Sequence, residues 1–99
     1  MVAHIVMWRI AATEEKSKAE NIEMVRQRLS ELPDHISEIV EYEIGVNQIE
    51  SDRAFDIVLI SRFQTWADLE TYPTHPRHVR VAEFIGSLRE QSAVVDYEY

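Results

Sequence analysis

The sequence contains no cysteine, and this absence removes several kinds of chemistry at once. Disulfide bonds, thiolate nucleophiles and zinc–thiolate centres are excluded, because each of them requires a cysteine sulfur. A reducing compartment is the natural setting for such a chain, so we expect a cytoplasmic protein. The apolar N-terminal stretch has no basic leader and is interrupted by His4 and Arg9. We therefore expect neither a signal peptide nor a membrane span.

Basic residues, glycine and proline are also scarce. Lysine and arginine together number 10 against 18 acidic residues, which gives a net charge of -8. Phosphate backbones and anionic membrane surfaces attract a basic protein face, so this balance argues against nucleic-acid and membrane partners. With only two glycines and three prolines, the 99 residues should form one domain, residues 1–99, of long elements and few turns.

Apolar periodicity predicts four strands and three helices. Alternation of apolar residues indicates a strand, and their recurrence at three and four residues indicates a helix. The strands are expected over residues 1–10, 39–47, 54–63 and 93–99, and the helices over residues 13–32, 65–72 and 76 to 86 or 88. For the first helix, a capping box between Ser17 and Glu20 is the alternative, later start.

This order of elements predicts a ferredoxin-like α+β fold. Two strand–helix–strand units interleave into a four-stranded antiparallel sheet, in the order 4-1-3-2, with the helices on one face. The strands are mostly apolar on both faces, whereas helices on one face leave the other uncovered. A twofold homodimer through the uncovered face would bury it, so we expect a dimeric α+β barrel.

The segment YPTHPRH at residues 72–78 concentrates the reactive side chains. Its two prolines favour an extended corner, after which a helix can begin at Pro76. His75 then lies near the helix N-cap and His78 in the first turn, where the helix dipole disfavours a protonated imidazole. A neutral imidazole can act as a general base, with Tyr72 beside it. The alternative interpretation is that Thr-His-Pro only shapes the corner and Tyr72 only packs.

Two further polar residues interrupt apolar strands. His4 lies in the first strand and Asp56 in the third, and these strands are neighbours in the expected sheet. If both side chains face the helices, they form a charge-assisted pair that fixes the imidazole tautomer. The alternative is that backbone or water satisfies each residue separately. A metal site that joins them to His75 and His78 is disfavoured, because Pro76 turns His75 away from the helix face.

The sequence resembles the stress-responsive dimeric α/β-barrel family, often called Dabb. The similarity lies in the opening HIVMWRI, the block FDIVLISRFQTWADLETYPTHPRHVRVAEF and the ending AVVDYEY, and it covers nearly the whole chain. The resemblance implies a ferredoxin-like monomer that pairs into an α+β barrel. The family includes plant stress proteins, some of which form larger rings, and a plant polyketide cyclase that makes olivetolic acid without a cofactor.

The resemblance also implies particular site residues. The catalytic tyrosine and histidine of that cyclase correspond to Tyr72 and His78, and a histidine that lines its pocket corresponds to His4. Asp56 stands where the cyclase has a third-strand histidine, and the helix-1 tyrosine of the cyclase has no counterpart near Val25 or Arg26, so the resemblance does not extend to the cyclase's substrate. Some plant members hold a magnesium ion on backbone carbonyls, and the matching positions imply a structural cation site at Leu29, Leu32 and His35.

Two functions follow from these observations. The first is a cofactor-independent cyclase, lyase or isomerase that binds a small molecule between sheet and helices. His78 would act as the base and Tyr72 would polarise a carbonyl, while His4, Asp56 and His75 would support the pocket. The alternative is a non-catalytic stress-response protein whose role is its oligomer or a bound ligand. The fold alone does not choose between them.

Overall fold

Four strands and three α-helices follow one another in the order that the sequence predicts. The computed structural model describes all residues from Met1 to Tyr99. Its elements are β1 (Val2–Ile10), α1 (Lys18–Ser30), a short 3-10 helix (Leu32–Asp34), β2 (Glu41–Val46), β3 (Ile57–Phe63), α2 (Trp66–Thr71), α3 (Pro76–Leu88) and β4 (Arg89–Glu98). The strands form one antiparallel sheet in the order β2-β3-β1-β4, which confirms the predicted ferredoxin-like fold. None of the helices combines the length and the apolarity that crossing a bilayer requires.

The first helix begins at the later of its two expected starts. Ser17 is the N-cap, and its hydroxyl accepts a hydrogen bond of 3.1 Å from the backbone N–H of Glu20. The Glu20 carboxylate in turn accepts a hydrogen bond of 3.1 Å from the backbone N–H of Ser17. This reciprocal pair satisfies two of the N–H groups that a helix start leaves free. Residues 13–17 therefore lie outside the helix, and the longer predicted helix is wrong at this end.

The fourth strand is longer than predicted, because it begins directly where α3 ends. Arg89 is both the C-cap of α3 and the first residue of β4. Residues 89–92 are polar and carry no strand-like alternation, but Ser92 lies opposite Trp8 and Arg89 opposite Ile10 in the β1–β4 register. Backbone hydrogen bonds, which do not depend on apolar side chains, define this end of the strand.

The hydrophobic core lies between one face of the sheet and the helices. Alternate residues of β1 and β3 face the helices, and the apolar stripes of α1 and α3 pack on them. Buried members of this core include Ile10, Leu59 and Phe63 from the sheet and Val25, Leu29 and Ile85 from the helices. This packing holds α3 over the sheet and thereby fixes the place of the corner that precedes it.

The other face of the sheet, which we call the open sheet face, carries apolar side chains. Ile5 of β1 lies between Ile60 of β3 and Val95 of β4 in the strand register, so these three residues form an apolar row across the sheet. Val95 is 58% exposed and Tyr97, two residues further along β4, is 41% exposed. A continuous apolar surface of this kind is typical of an interaction site.

Asp56 occupies a different place from the one that the sequence suggests. One of its carboxylate oxygens accepts a hydrogen bond of 2.7 Å from the backbone N–H of Ile10, and the other lies 3.1 Å from Nζ of Lys18. In the β1–β3 register His4 lies opposite Ser61, five residues beyond Asp56. Five strand residues span roughly 17 Å, so the predicted pair between His4 and Asp56 is wrong. Asp56 instead joins the end of β1, the start of β3 and the start of α1.

We expect the substitution Asp56→Ala to lower the free energy of unfolding by about 1.5–3 kcal/mol, because it removes a hydrogen bond to a charged group and leaves the Ile10 N–H without its partner. Urea unfolding at one fixed protein concentration measures this change. Asp52→Ala removes the same kind of side chain from the neighbouring exposed loop. A destabilisation by Asp56→Ala no larger than that of this control would contradict the role given to Asp56.

Candidate functional site

A cavity of about 330 Å³ lies between α3 and the helix-facing side of the sheet. We call it the α3 cavity. Its floor comes from β1 and β3, and its sides come from α1, α3 and the edge strand β4. The side chains that line it are mostly apolar, with a few polar ones: His4, Val6, Trp8, Leu29, Leu59, Tyr72, His78, Val81, Ala82, Ile85, Arg89, Ser92 and Val94.

The corner before α3 brings Tyr72 and His78 together at one end of this cavity. His75 is the N-cap of α3, and its Nδ1 accepts a hydrogen bond of 3.1 Å from the backbone N–H of Arg77. Pro76 takes the first helical position, so His78 lies in the first turn. The rings of Tyr72 and His78 meet edge to face, with 4.4 Å between their centroids. Tyr72 is only 1% exposed, so packing fixes its orientation.

His4 reaches the same end of the cavity from the floor. Its ring centroid lies 6.0 Å from that of Tyr72, and its Nδ1 is hydrogen-bonded to the carboxylate of Asp96. The two residues are direct partners in the β1–β4 register. An ionised carboxylate can only accept a hydrogen bond, so the neutral tautomer that fits this contact has the proton on Nδ1 and an acceptor at Nε2. The pair resembles the orienting part of a carboxylate–histidine dyad.

The local environment sets the protonation states of the two residues at the corner. Burial is the largest cause of the lowered pKa of His78, and the backbone carbonyl of Pro73 opposes part of this shift. The Nδ1 atom of His78 is buried and is among the few buried side-chain nitrogens without a hydrogen-bond partner. Burial raises the pKa of Tyr72 to about 12, so its hydroxyl stays protonated and can donate a hydrogen bond. The cavity therefore combines a neutral imidazole with a protonated phenol near neutral pH.

The structure brings three of the five predicted pocket residues together. His4, Tyr72 and His78 line the α3 cavity, whereas His75 and Asp56 do not. His75 caps α3, which is the structural role that its place before Pro76 also allowed. Asp56 lies near the far end of β1, as described above, and its prediction as a support of the pocket is wrong.

The sequence did not reveal two polar neighbours of the site. Asp96 pairs with His4. The only sequence signal for this residue was its position directly after two valines in the ending AVVDYEY. Tyr42 of β2 has its hydroxyl 3.4 Å from the hydroxyl of Tyr72. Burial also raises the pKa of Tyr42. This second phenol extends the polar contacts of Tyr72 away from the cavity, since Tyr42 is not among the lining residues.

The region implied as a cation site has an unfavourable charge for a cation. Leu32 and His35 line a small cavity of about 110 Å³ in which three arginines outnumber one acidic residue: Arg28, Arg77 and Arg80 against Glu31. The carbonyl of Leu32 already accepts hydrogen bonds from the backbone N–H groups of residues 35 and 36, at 3.0 and 3.1 Å. Magnesium prefers oxygen ligands with free lone pairs and negative surroundings. The residues present do not fit a divalent cation in this arrangement.

The sheet order and the helices on one face define a ferredoxin-like protein, and several solved structures share this fold. A dimeric protein of unknown function from Bacteroides fragilis is 30% identical, with a TM-score of 0.82, and the alignment covers 99% of this chain and 95% of that one. A dimeric ferredoxin-like protein of unknown function from Thermobifida fusca is 20% identical, with a TM-score of 0.84 and coverages of 99% and 90%. Hydroxynitrile lyase from Passiflora edulis is 24% identical, with a TM-score of 0.80 and coverages of 97% and 90%.

The family of the chain follows from a match over nearly its whole length. The model of the Stress responsive A/B Barrel Domain (Dabb) family matches residues 2–99, so the chain belongs to this family. This confirms the resemblance that the sequence motifs indicated. No curated protein sequence matches the chain.

We expect His78 to titrate below about 6.5, the ordinary pKa of histidine, because burial disfavours its charged form. NMR titration of the imidazole resonances, assigned with a His78→Gln variant, measures this pKa. The unfolded chain binds a proton at a higher pH than the folded protein does. The stability linked to His78 is therefore complete above about pH 6.5 and is lost as the pH falls through the lower pKa of the folded protein. A measured pKa of 6.5 or higher for His78 in the folded protein would contradict this expectation.

Proposed function

We propose that the protein is a cofactor-independent enzyme of the cyclase or lyase type, which moves protons on an enolisable carbonyl compound bound in the α3 cavity. The observation that carries this proposal is the convergence of His4, Tyr72 and His78 on one end of a mostly apolar cavity. Enolisation requires a proton acceptor, a hydrogen-bond donor at the carbonyl oxygen and limited access of water. These side chains and the apolar walls can supply all three.

His78 is the proposed base for the first proton transfer. Its pKa is lowered by burial, so it is neutral near pH 7 and can take a proton from the carbon next to the carbonyl group. Tyr72 is the proposed donor to the carbonyl oxygen, because its raised pKa keeps the hydroxyl protonated while negative charge develops on the substrate. The product of this step is an enolate held between the two side chains.

His4 and Asp96 form the proposed second proton-transfer site. With Nδ1 bound to Asp96, the Nε2 atom of His4 can accept a proton from a substrate hydroxyl, and Asp96 stabilises the imidazolium that results. An enolate formed beside it can attack a second carbonyl of the same molecule and form a ring, and the resulting alkoxide then takes the proton that His78 holds. Alternatively, the enolate expels a leaving group from the next carbon, and the leaving group takes that proton. Both outcomes use the same acid–base groups, so the shape of the bound molecule decides between cyclase and lyase chemistry.

One structural neighbour supports this class of reaction. The protein from Passiflora edulis is a hydroxynitrile lyase. At 24% identity the similarity concerns the fold, so it supports a lyase on this scaffold and leaves the substrate to be found by experiment.

We expect His78→Ala to slow proton exchange on a bound substrate by roughly 10²–10⁴-fold, because it removes the base. Tyr72→Phe should slow it by roughly 10²–10³-fold, because the ring stays and only the donor hydroxyl is lost. The assay follows deuterium exchange next to the carbonyl by NMR, over a panel of β-polyketides and other enolisable ketones. Tyr97→Phe, the same chemical change on the open sheet face, is the matched control and should leave exchange unchanged.

Two results of this assay would overturn the proposal. Equal exchange rates with the wild-type protein and His78→Ala would remove His78 from the mechanism. No exchange above the uncatalysed rate with any compound of the panel would instead favour the non-catalytic stress-response oligomer. In each case circular dichroism must show that the variants are folded.

We also propose that the chain forms a homodimer through the open sheet face. The apolar row of Ile5, Ile60 and Val95 has no helix packed on it, and contact with a second copy would remove it from water. The similar proteins from Bacteroides fragilis and Thermobifida fusca are described as dimeric, which supports this assembly. Closing two sheets face to face would give the α+β barrel expected from the sequence.

We expect sedimentation equilibrium at micromolar concentration to detect no folded monomer of the wild-type protein. Ile60→Asp should shift the protein to monomer or unfold it, because the dimer would bury an unpaired charge at the centre of the row. Val79→Asp places the same charge on the solvent side of α3 and should leave the dimer intact. A stable wild-type monomer under these conditions would refute the assembly.

A further inference from the structure

The α3 cavity differs in charge from the rest of the molecule. The chain as a whole carries 18 acidic and 10 basic residues. Among the residues that line this cavity there is no aspartate or glutamate, and Arg89 is the only lining residue with a permanent charge. Asp96 does not line the cavity, but its carboxylate is hydrogen-bonded to His4 and places a negative charge beside the His4 end. The end of the cavity at Arg89 therefore suits an anionic group better than a cationic one.

The backbone and one neighbour fix the position of Arg89. It stands at the junction where α3 ends and β4 begins without a connecting loop. Its Nη1 donates a hydrogen bond of 3.0 Å to the hydroxyl of Ser92, which also lines the cavity. Arg89 takes part in none of the four ion pairs of the protein. Most of its five N–H donors are thus free to bind a ligand.

Arg89 and the acid–base residues lie at opposite ends of the cavity. Ser92 is the register partner of Trp8, and Asp96 is the register partner of His4. Four residues of a strand span roughly 13 Å, which is the approximate separation of the two ends. The floor between them is apolar and is formed by Val6 and Leu59. A ligand that reaches both ends therefore has two polar groups joined by an apolar segment.

We propose that Arg89, with Ser92, is a specificity-determining site that binds a carboxylate of the substrate. The substrate would be an oxo acid, with its carboxylate at Arg89, an apolar chain across the floor and its enolisable carbonyl at Tyr72 and His78. A planar carboxylate matches the paired N–H groups of a guanidinium, which favours this anion. The identity of the reacting group rests on the function proposed above, whereas the binding of the carboxylate does not.

The test compares ligands that differ only in charge. Methyl-ketone carboxylic acids of increasing chain length, together with their neutral N-methyl amides, are titrated into the folded dimer, and binding is followed by NMR chemical-shift changes. We expect one range of chain lengths to bind as the acid about tenfold more tightly than as the amide, because one charge-assisted pair distinguishes them. The preference should weaken as salt is added, since Arg89 is exposed to solvent.

The variant Arg89→Gln should abolish the preference for the acid and leave binding of the amide unchanged. Arg80→Gln changes the net charge equally at a residue of α3 that does not line the α3 cavity, and it should keep the preference. Equal binding of acid and amide by the wild-type protein, an unchanged preference in Arg89→Gln, or no binding by any member of the series would overturn the assignment. Each variant must first show the dispersed NMR spectrum of a folded protein before its binding is compared with that of the wild type.

The same samples separate this inference from the proposed function. Deuterium exchange next to the ketone reports on His78 and Tyr72, whereas the difference between acid and amide reports on Arg89. Acid-selective binding without exchange would keep the carboxylate site and refute the proton-transfer enzyme. If the acid and the amide exchange deuterium at the same rate and bind with the same affinity, the result would support the enzyme and refute the carboxylate site.

Discussion

The pairing of β1 with β4 is the interaction on which the candidate site depends. β1 lies in the middle of the sheet and pairs with β3 on one side and with β4 on the other. Its register with β4 sets His4 opposite Asp96 at one end of the α3 cavity and Trp8 opposite Ser92 at the other. A shift of this register by one residue would turn the side chains of β4 to the other face of the sheet. The same ladder thus positions both the His4 end and the Arg89 end of the cavity.

Local sequence signals predicted the parts of the structure that local physics decides. The apolar periodicity of α3, the prolines around His75 and the alternation in β3 each indicated the element that the structure contains. The placement of Tyr72 and His78 side by side also follows from a short proline-stiffened corner, where few conformations are open to the chain. The pKa of His78 is lowered, as the sequence predicted, but burial is the largest cause of this shift and the helix dipole is not.

Contacts between distant strands were harder to predict. The sequence showed that His4 and Asp56 needed partners, and their neighbouring strands suggested that they partner each other. The register decided otherwise, because Asp56 falls at the Ile10 end of β1 and Asp96 of the opposite edge strand faces His4. Position along a strand cannot be read from alternation alone, since alternation assigns a face and leaves the offset between strands open. The sequence did not predict the place of Arg89 for a related reason: β4 begins in a polar stretch that has no apolar alternation.

The pairing of β1 with β4 also has a consequence for how the chain folds during its synthesis. His4 and Asp96 are separated by 92 residues, so their contact is among the least local in the chain. Contacts of such separation form late, because the intervening chain must lose much conformational freedom first. During synthesis, β1 emerges early and cannot receive its second neighbour until β4 has been translated. Until then one edge of an apolar strand stays open to pairing with other chains, so aggregation competes with folding while the chain is unfinished.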